Sequence, residues 1–152
     1  MSDPGDIRNF LRLSDRITTS GRLTPDDPER LAAMGARRVI YLAMADHPEA
    51  VPDADNAMAR AGLDYTHVPV PWDAPDEGHY RAFVEALEAE ETPVHVHCVM
   101  NWRVSAFLYR WRCEQGMDEA EARAQMEEIW SPETSDDPSA DKWAALIRKR
   151  RR

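Results

Sequence analysis

The chain has 152 residues, 43% of them hydrophobic and 31% charged, with a formal net charge of −9. That is the composition of one ordinary globular domain, and it excludes a collagen, a mucin-like stalk or a disordered tail. Five of the 19 basic residues form the tail Arg148–Arg152, leaving 14 against 28 acidic ones, so the body (net −14) repels nucleic acid rather than gathering it.

Met1-Ser2-Asp3-Pro4 has neither the basic start nor the apolar stretch of a secretory signal. Cys98 and Cys113 are too few for a disulfide framework, and a cytoplasmic location is expected. Arg16–Ser20 reads as a short strand stopped by Gly21. Thr24–Pro28 is a turn opening a helix through Glu29–Met34, closed by Gly35. Arg38–Ala43 is a continuous apolar strand, as expected of burial on both faces. The apolar run Val39–Ala45 falls far short of the roughly 20 residues that cross a bilayer.

Asp53–Arg60 reads as a helix stopped by Gly62, and Asp64–Val70 as another strand. A proline-marked loop follows over 69–75. Tyr80, Phe83, Val84 and Leu87 then lie on one helical face, with a solvated acidic face opposite. Thr92–Cys98 is a strand. A helix runs from near Trp102 to Gly116, on the spacing of Val104, Phe107, Leu108 and Trp111. Asp118 with Glu121 has the form of a capping box ahead of a stripe of Ala122, Met126 and Ile129. A last helix carries Trp143, Leu146 and Ile147. Strands alternating with helices up to residue 98, and helices after it, predict an α/β fold. It is a single domain over 1–152 (core about 14–147, basic tail 148–152), with a central, mostly parallel sheet of four to five strands flanked by helices.

The chemistry concentrates in Val94–Ser105, where a buried strand ends at Cys98 and a helix begins four residues later with Arg103 in its first turn. Open α/β sheets bind ligands beyond the carboxyl ends of their strands. A helix start offers unpaired N–H groups and the positive end of a dipole. A cysteine there is expected as a thiolate, and Arg103 adds a planar, bidentate donor for an oxyanion. His95 and His97 share a strand face, with His67 on a neighbouring strand. Without a carboxylate or a spaced cysteine pair they read as histidines hydrogen-bonded beneath the loop rather than as a zinc site. Cys113 reads as an ordinary helix residue. The five tryptophans read as scattered packing, except Trp102 and Trp72, which are placed to wall the pocket.

His97-Cys98, a short loop, Arg103 and then a hydroxyl residue resemble the signature loop of cysteine-dependent protein tyrosine and dual-specificity phosphatases. Ile17–Gly21, Val39–Leu42, Tyr65–Val70, Trp72–Pro75 and Ile129-Trp130 are similar to segments of the small bacterial members of that superfamily, over about residues 14–130. The resemblance implies a phosphatase-like architecture and removal of phosphate from a phosphomonoester through a cysteinyl-phosphate. Cys98 would be the nucleophile and Arg103 the phosphate clamp. The main-chain N–H groups of Val99, Met100, Asn101, Trp102 and Arg103 would form the cradle. His97 would orient the cysteine and support its thiolate, and Ser105 would donate to the departing thiolate. Asp73 would be the general acid, with Asp76 the substitute. No metal or organic cofactor is implied. The partner would be a small phosphorylated substrate or a phosphoprotein, and oligomeric state is not encoded in any feature of the chain.

The chain departs from that signature in three ways. Four residues rather than five separate Cys98 from Arg103. Asn101 stands where a loop glycine is usual, and Asn tolerates a left-handed conformation. Val104 follows the arginine, with Ser105 one later. A four-residue spacing resembles that of rhodanese-like sulfurtransferases, which carry a persulfide on cysteine. A non-catalytic, anion-binding relative is the other alternative.

Overall fold

The computed structural model describes residues 3–150. Met1 and Ser2, which begin the stretch read as lacking a secretory signal, and Arg151 and Arg152 of the basic tail lie outside the described residues.

Four strands run parallel: β2 (Ile17–Ser20), β3 (Arg38–Tyr41), β4 (Asp64–His67) and β5 (Val94–His97). A two-residue strand, β1 (Leu11–Arg12), adds antiparallel to β2. It had no sequence signal, being too short to show alternation. The order across the sheet is β1-β2-β5-β3-β4, so the strand latest in sequence lies at the centre. Every residue of β2, β3 and β5 is buried, as strands covered on both faces require. β5, Val-His-Val-His, sends its valines to one face and its histidines to the other. The edge strand β4 is only half-buried.

Helices cover both faces. On one side lie α1 (Asp27–Ala33) and α2 (Ala54–Arg60), where Leu31 and Met58 pack with Val39 and Leu63. On the other lie α3 (Glu77–Glu88), α4 (Trp102–Glu114), α5 (Glu119–Glu127) and α6 (Ala140–Arg148). There Tyr80, Phe83 and Leu87 of α3 and Phe107 and Leu108 of α4 meet Ile40, Val94 and Val96. Each fully buried side chain of this size contributes about 1.5–3 kcal/mol. The i, i+3, i+4, i+7 spacing of α3 has become its buried face.

α4 is buried from Arg103 to Trp111 and packs on α5, α6 and β2. A charged residue in such a helix needs partners. The Arg110 guanidinium donates to both Glu77 oxygens at 2.7 Å and to Glu114 at 3.0 Å, and lies 3.9 Å over the Tyr80 ring. Gly116, at φ 98, gives α4 the left-handed residue that commonly follows a helix end.

The strands end earlier than their apolar runs predict. Pairing continues for a few residues, through Leu42 N to His97 O and Val68 N to Tyr41 O, but the chains then leave the sheet for the loops that carry the site. The expected capping box at Asp118 is half-formed: its carboxylate accepts from Glu121 N, without the return bond. The reciprocal box sits at the start of α3, where Asp76 accepts from His79 N and His79 Nδ1 accepts from Asp76 N. A histidine there does what the usual glutamate does. Arg150 of the basic tail donates to Ile147 O at 2.8 Å and lies 5.7 Å over Tyr109.

Candidate active site

Cys98 leaves the carboxyl end of central β5 and is 1% exposed. The three residues after it turn into α4. Asn101, at φ 67 and ψ 7, takes the left-handed conformation that its residue type tolerates. Its side-chain amide donates to Asn9 O at 2.9 Å and to Thr19 Oγ1 at 3.0 Å, fastening the turn to the N-terminal segment and to β2.

The loop's carbonyls and amides are sorted. Val99 O accepts from Arg22 N at 2.8 Å and from Arg8 Nη1 at 3.3 Å. Met100 O accepts from Asn9 Nδ2 at 2.9 Å, and Asn101 O from Ser105 N at 2.9 Å. Among the described residues, none of the main-chain N–H groups of Val99, Met100, Asn101, Trp102 and Arg103 finds an acceptor. Buried or half-buried N–H groups are rarely left unpaired. A run of them beside a helix start has the donors that an anion would need.

Arg103, the last residue of that run, is 8% exposed. Its Nε donates to Val70 O at 2.8 Å, and its guanidinium lies 5.5 Å from the centre of the Trp72 ring. Its two terminal nitrogens bond nothing among the described residues and remain available to an oxyanion. Asp73 follows Trp72 on an exposed turn, where its main-chain oxygen accepts from Lys142 Nζ at 2.7 Å. Its carboxylate has no partner among the described residues. The substitute acid, Asp76, is engaged as the N-cap of α3, which gives it a structural task.

The tryptophans are not scattered. Trp72, Trp102, Trp130 and Trp143 form one cluster, with Trp72 5.7 Å from Trp102, 5.3 Å from Trp130 and 5.1 Å from Trp143, and Trp102 stacked on Trp130 at 5.1 Å. Trp72 Nε1 donates to Asp137, and Trp143 Nε1 to Trp72 O, both at 2.9 Å. The cluster binds the Asp73 turn, the start of α4 and the C-terminal segment together. Sequence spacing could not show it, because its members lie on four separate elements.

His97 and Ser105 differ from what the resemblance implies. The His97 ring stacks 4.7 Å from Tyr41, which stacks 5.2 Å from His67, across three strands in register. Burial holds His97 neutral, well below the usual histidine range. Among the described residues, neither ring nitrogen finds a hydrogen-bond partner. It therefore offers the Cys98 sulfur no positive charge. The histidine hydrogen-bonded beneath the sheet's end is His95, whose two nitrogens meet Thr18 and Ser20, each at 2.8 Å. The Ser105 hydroxyl turns back to Trp102 O at 3.3 Å rather than toward the thiol. Tyr41 is also kept neutral, pushed up to about 12 chiefly by burial.

Arg8, Asn9, Gly21 and Arg22 reach the site without a motif to announce them. Gly21 reads in sequence as a strand stop. In space, a β-carbon there would stand 2.5 Å from Val99 O, so only glycine lets the two chains meet.

A family model described as beta-lactamase hydrolase-like protein, phosphatase-like domain, matches residues 9–117. The chain belongs to this family. Its phosphatase-like domain extends over the sheet, the loop and α4, while the C-terminal tryptophans lie beyond the match. A crystal structure of a candidate phosphatase from Shewanella putrefaciens is similar at 29% identity and a TM-score of 0.83, over 95% of this chain and 91% of that one. TpbA of P. aeruginosa, crystallised as a Cys-to-Ser variant with phosphotyrosine, aligns at 21% identity and a TM-score of 0.71, over 99% and 88% of the two chains. A candidate phosphatase from Neisseria meningitidis aligns at 21% identity and 0.69, over 90% and 96%. At this distance the last two show a shared fold alone. No curated protein matches the sequence.

Proposed function

We propose that this chain is a cysteine-dependent phosphatase acting on a phosphomonoester, either a small molecule or a phosphoprotein. The observation that carries the reading is the unpartnered run of N–H groups from Val99 to Arg103 beside the Cys98 thiol. The Cys98 sulfur attacks phosphorus, the S–P bond forms, and the P–O bond to the alcohol breaks. Asp73 gives its proton to the departing oxygen. Water then attacks phosphorus and passes a proton back to Asp73, and the S–P bond breaks to return the thiolate and free phosphate. The amides and Arg103 carry the charge that spreads over the phosphoryl oxygens. The acidic body is consistent with no nucleic-acid partner, and we place the activity in the cytoplasm. Among the described residues no helix is long and apolar enough to cross a membrane.

The test is rapid-mixing hydrolysis of p-nitrophenyl phosphate and phosphotyrosine. A burst of phenol, phosphate trapped on Cys98, and loss of turnover in Cys98→Ser are expected. Asp73→Asn slows an alkyl phosphate far more than the nitrophenyl ester. Full activity in Cys98→Ser sinks the assignment. The four-residue spacing also favours a second assay. In sulfurtransfer, Cys98 would take sulfur from thiosulfate, releasing sulfite, and cyanide would remove it as thiocyanate.

A further inference from the structure

We infer that Asn9 is a positioning residue that sets the direction of the amide cradle from outside the signature loop. The inference rests on the phosphatase reading for its use, and on the loop's hydrogen bonds for its substance. In a trans peptide the N–H points opposite to the C=O. Whatever holds the carbonyl of one residue therefore aims the amide of the next. Met100 O is held by the Asn9 side chain at 2.9 Å, so Asn9 aims the N–H of Asn101. Val99 O is held by Arg22 N and Arg8, so these aim the N–H of Met100. The Asn101 amide returns a bond to Asn9 O, which closes a reciprocal clasp between residues 92 positions apart.

The N-terminal segment is itself held in place for this task. Asn9 takes a left-handed φ of 50, one of three non-glycine residues to do so among those described. Arg8 is held on both terminal nitrogens by Glu49, at 3.0 and 3.1 Å, and Arg22 reaches the same carboxylate at 3.3 Å. Gly21 N donates to Arg8 O at 2.8 Å. In this four-residue loop an outside side chain holds the carbonyl of Met100.

The side chain can be separated from the backbone. Asn9 is exposed, and Asn, Asp and Gly all accept a left-handed φ. Asn9→Gly keeps the backbone and deletes the donor. Asn9→Asp keeps the shape and sets a carboxylate oxygen against Met100 O. The full chain is labelled with 15N, and its amide signals and its affinity for orthovanadate are measured. In both variants the signals of Met100 and Asn101 move while those of β3 and β4 do not. Vanadate binds about tenfold more weakly in Asn9→Gly, and more weakly still in Asn9→Asp, as a small misplacement of a binding group can cost up to about a hundredfold. Loop signals that ignore both substitutions overturn the inference, whether or not the wild-type chain binds the anion. A wild-type chain that ignores vanadate overturns the phosphatase reading instead.

Discussion

The carbonyl oxygen of Val99 lies 2.5 Å from the place where a β-carbon on Gly21 would stand. The first peptide of the signature loop and the end of β2 thus touch through backbone alone. Gly21→Ala must push the loop outward, because neither partner is a flexible side chain. Overpacking of this kind costs about 1–3 kcal/mol. A lowered urea midpoint and weakened vanadate binding are expected together, and a variant that binds vanadate as well as wild type would show that the contact does not matter to the seat.

Trp143 is fully buried, and its indole N–H holds the main-chain oxygen beside Asp73. Trp143→Ala should cost about 3–5 kcal/mol, the usual loss for a large buried aromatic. Trp143→Phe keeps most of the packing but drops the hydrogen bond, at about 0.5–1.5 kcal/mol. Its expected signature is kinetic: hydrolysis of an alkyl phosphate falls more than hydrolysis of p-nitrophenyl phosphate, since only the former depends on a well-placed acid. Equal losses for both esters would separate the cluster from Asp73.

Arg110 lies 1% exposed between Glu77 and Glu114. Arg110→Met removes the buried cation shared by Glu77 and Glu114, while Glu77 keeps Arg81 at 3.3 Å, and breaking a buried pair from one side costs up to about 3–5 kcal/mol. The hydrogen bond from Arg110 holds the Glu77 carboxyl below its usual range. A lowered folded-state value means stability that is fully present above the ordinary glutamate range and lost as pH falls through the folded value. Acid titration of stability should therefore be shallower in Glu77→Gln than in wild type.

Burial lowers His95 to about 3, and His97 shifts in the same direction for the same reason. Below about pH 6.5 the unfolded chain takes up protons that these folded imidazoles refuse, so stability falls with each step toward acid. For one such histidine the limiting slope is about 1.4 kcal/mol per pH unit. Urea melts at about pH 7 and pH 5 should differ less in His95→Gln than in wild type. An unchanged difference would mean that the histidine is protonated in the folded chain.

Sequence alone was enough for the layered α/β fold, the placement of Cys98 at a strand end and Arg103 at a helix start, and the left-handed role of Asn101. These are local properties, written in apolar spacing and in residue types with narrow conformational habits. The four-tryptophan cluster, the clasp between Asn9 and the loop, and the contact of Gly21 with Val99 were not legible, because each joins elements far apart in the chain. The surroundings of His97 are hidden in the sequence for a related reason. Its neutrality comes from what covers it, and its sequence neighbours do not reveal that cover.

The central position of β5 has a consequence for how the protein comes into being. Its neighbours, β2 and β3, are made long before it and cannot pair with one another, since β5 stands between them. The sheet therefore stays open during synthesis until the strand that ends at Cys98 arrives, and contacts of such long sequence separation form slowly. Insertion of β5 completes the sheet and seats the thiol in one event. A reagent that labels Cys98 during refolding would report the moment at which β5 enters the sheet and its end is covered.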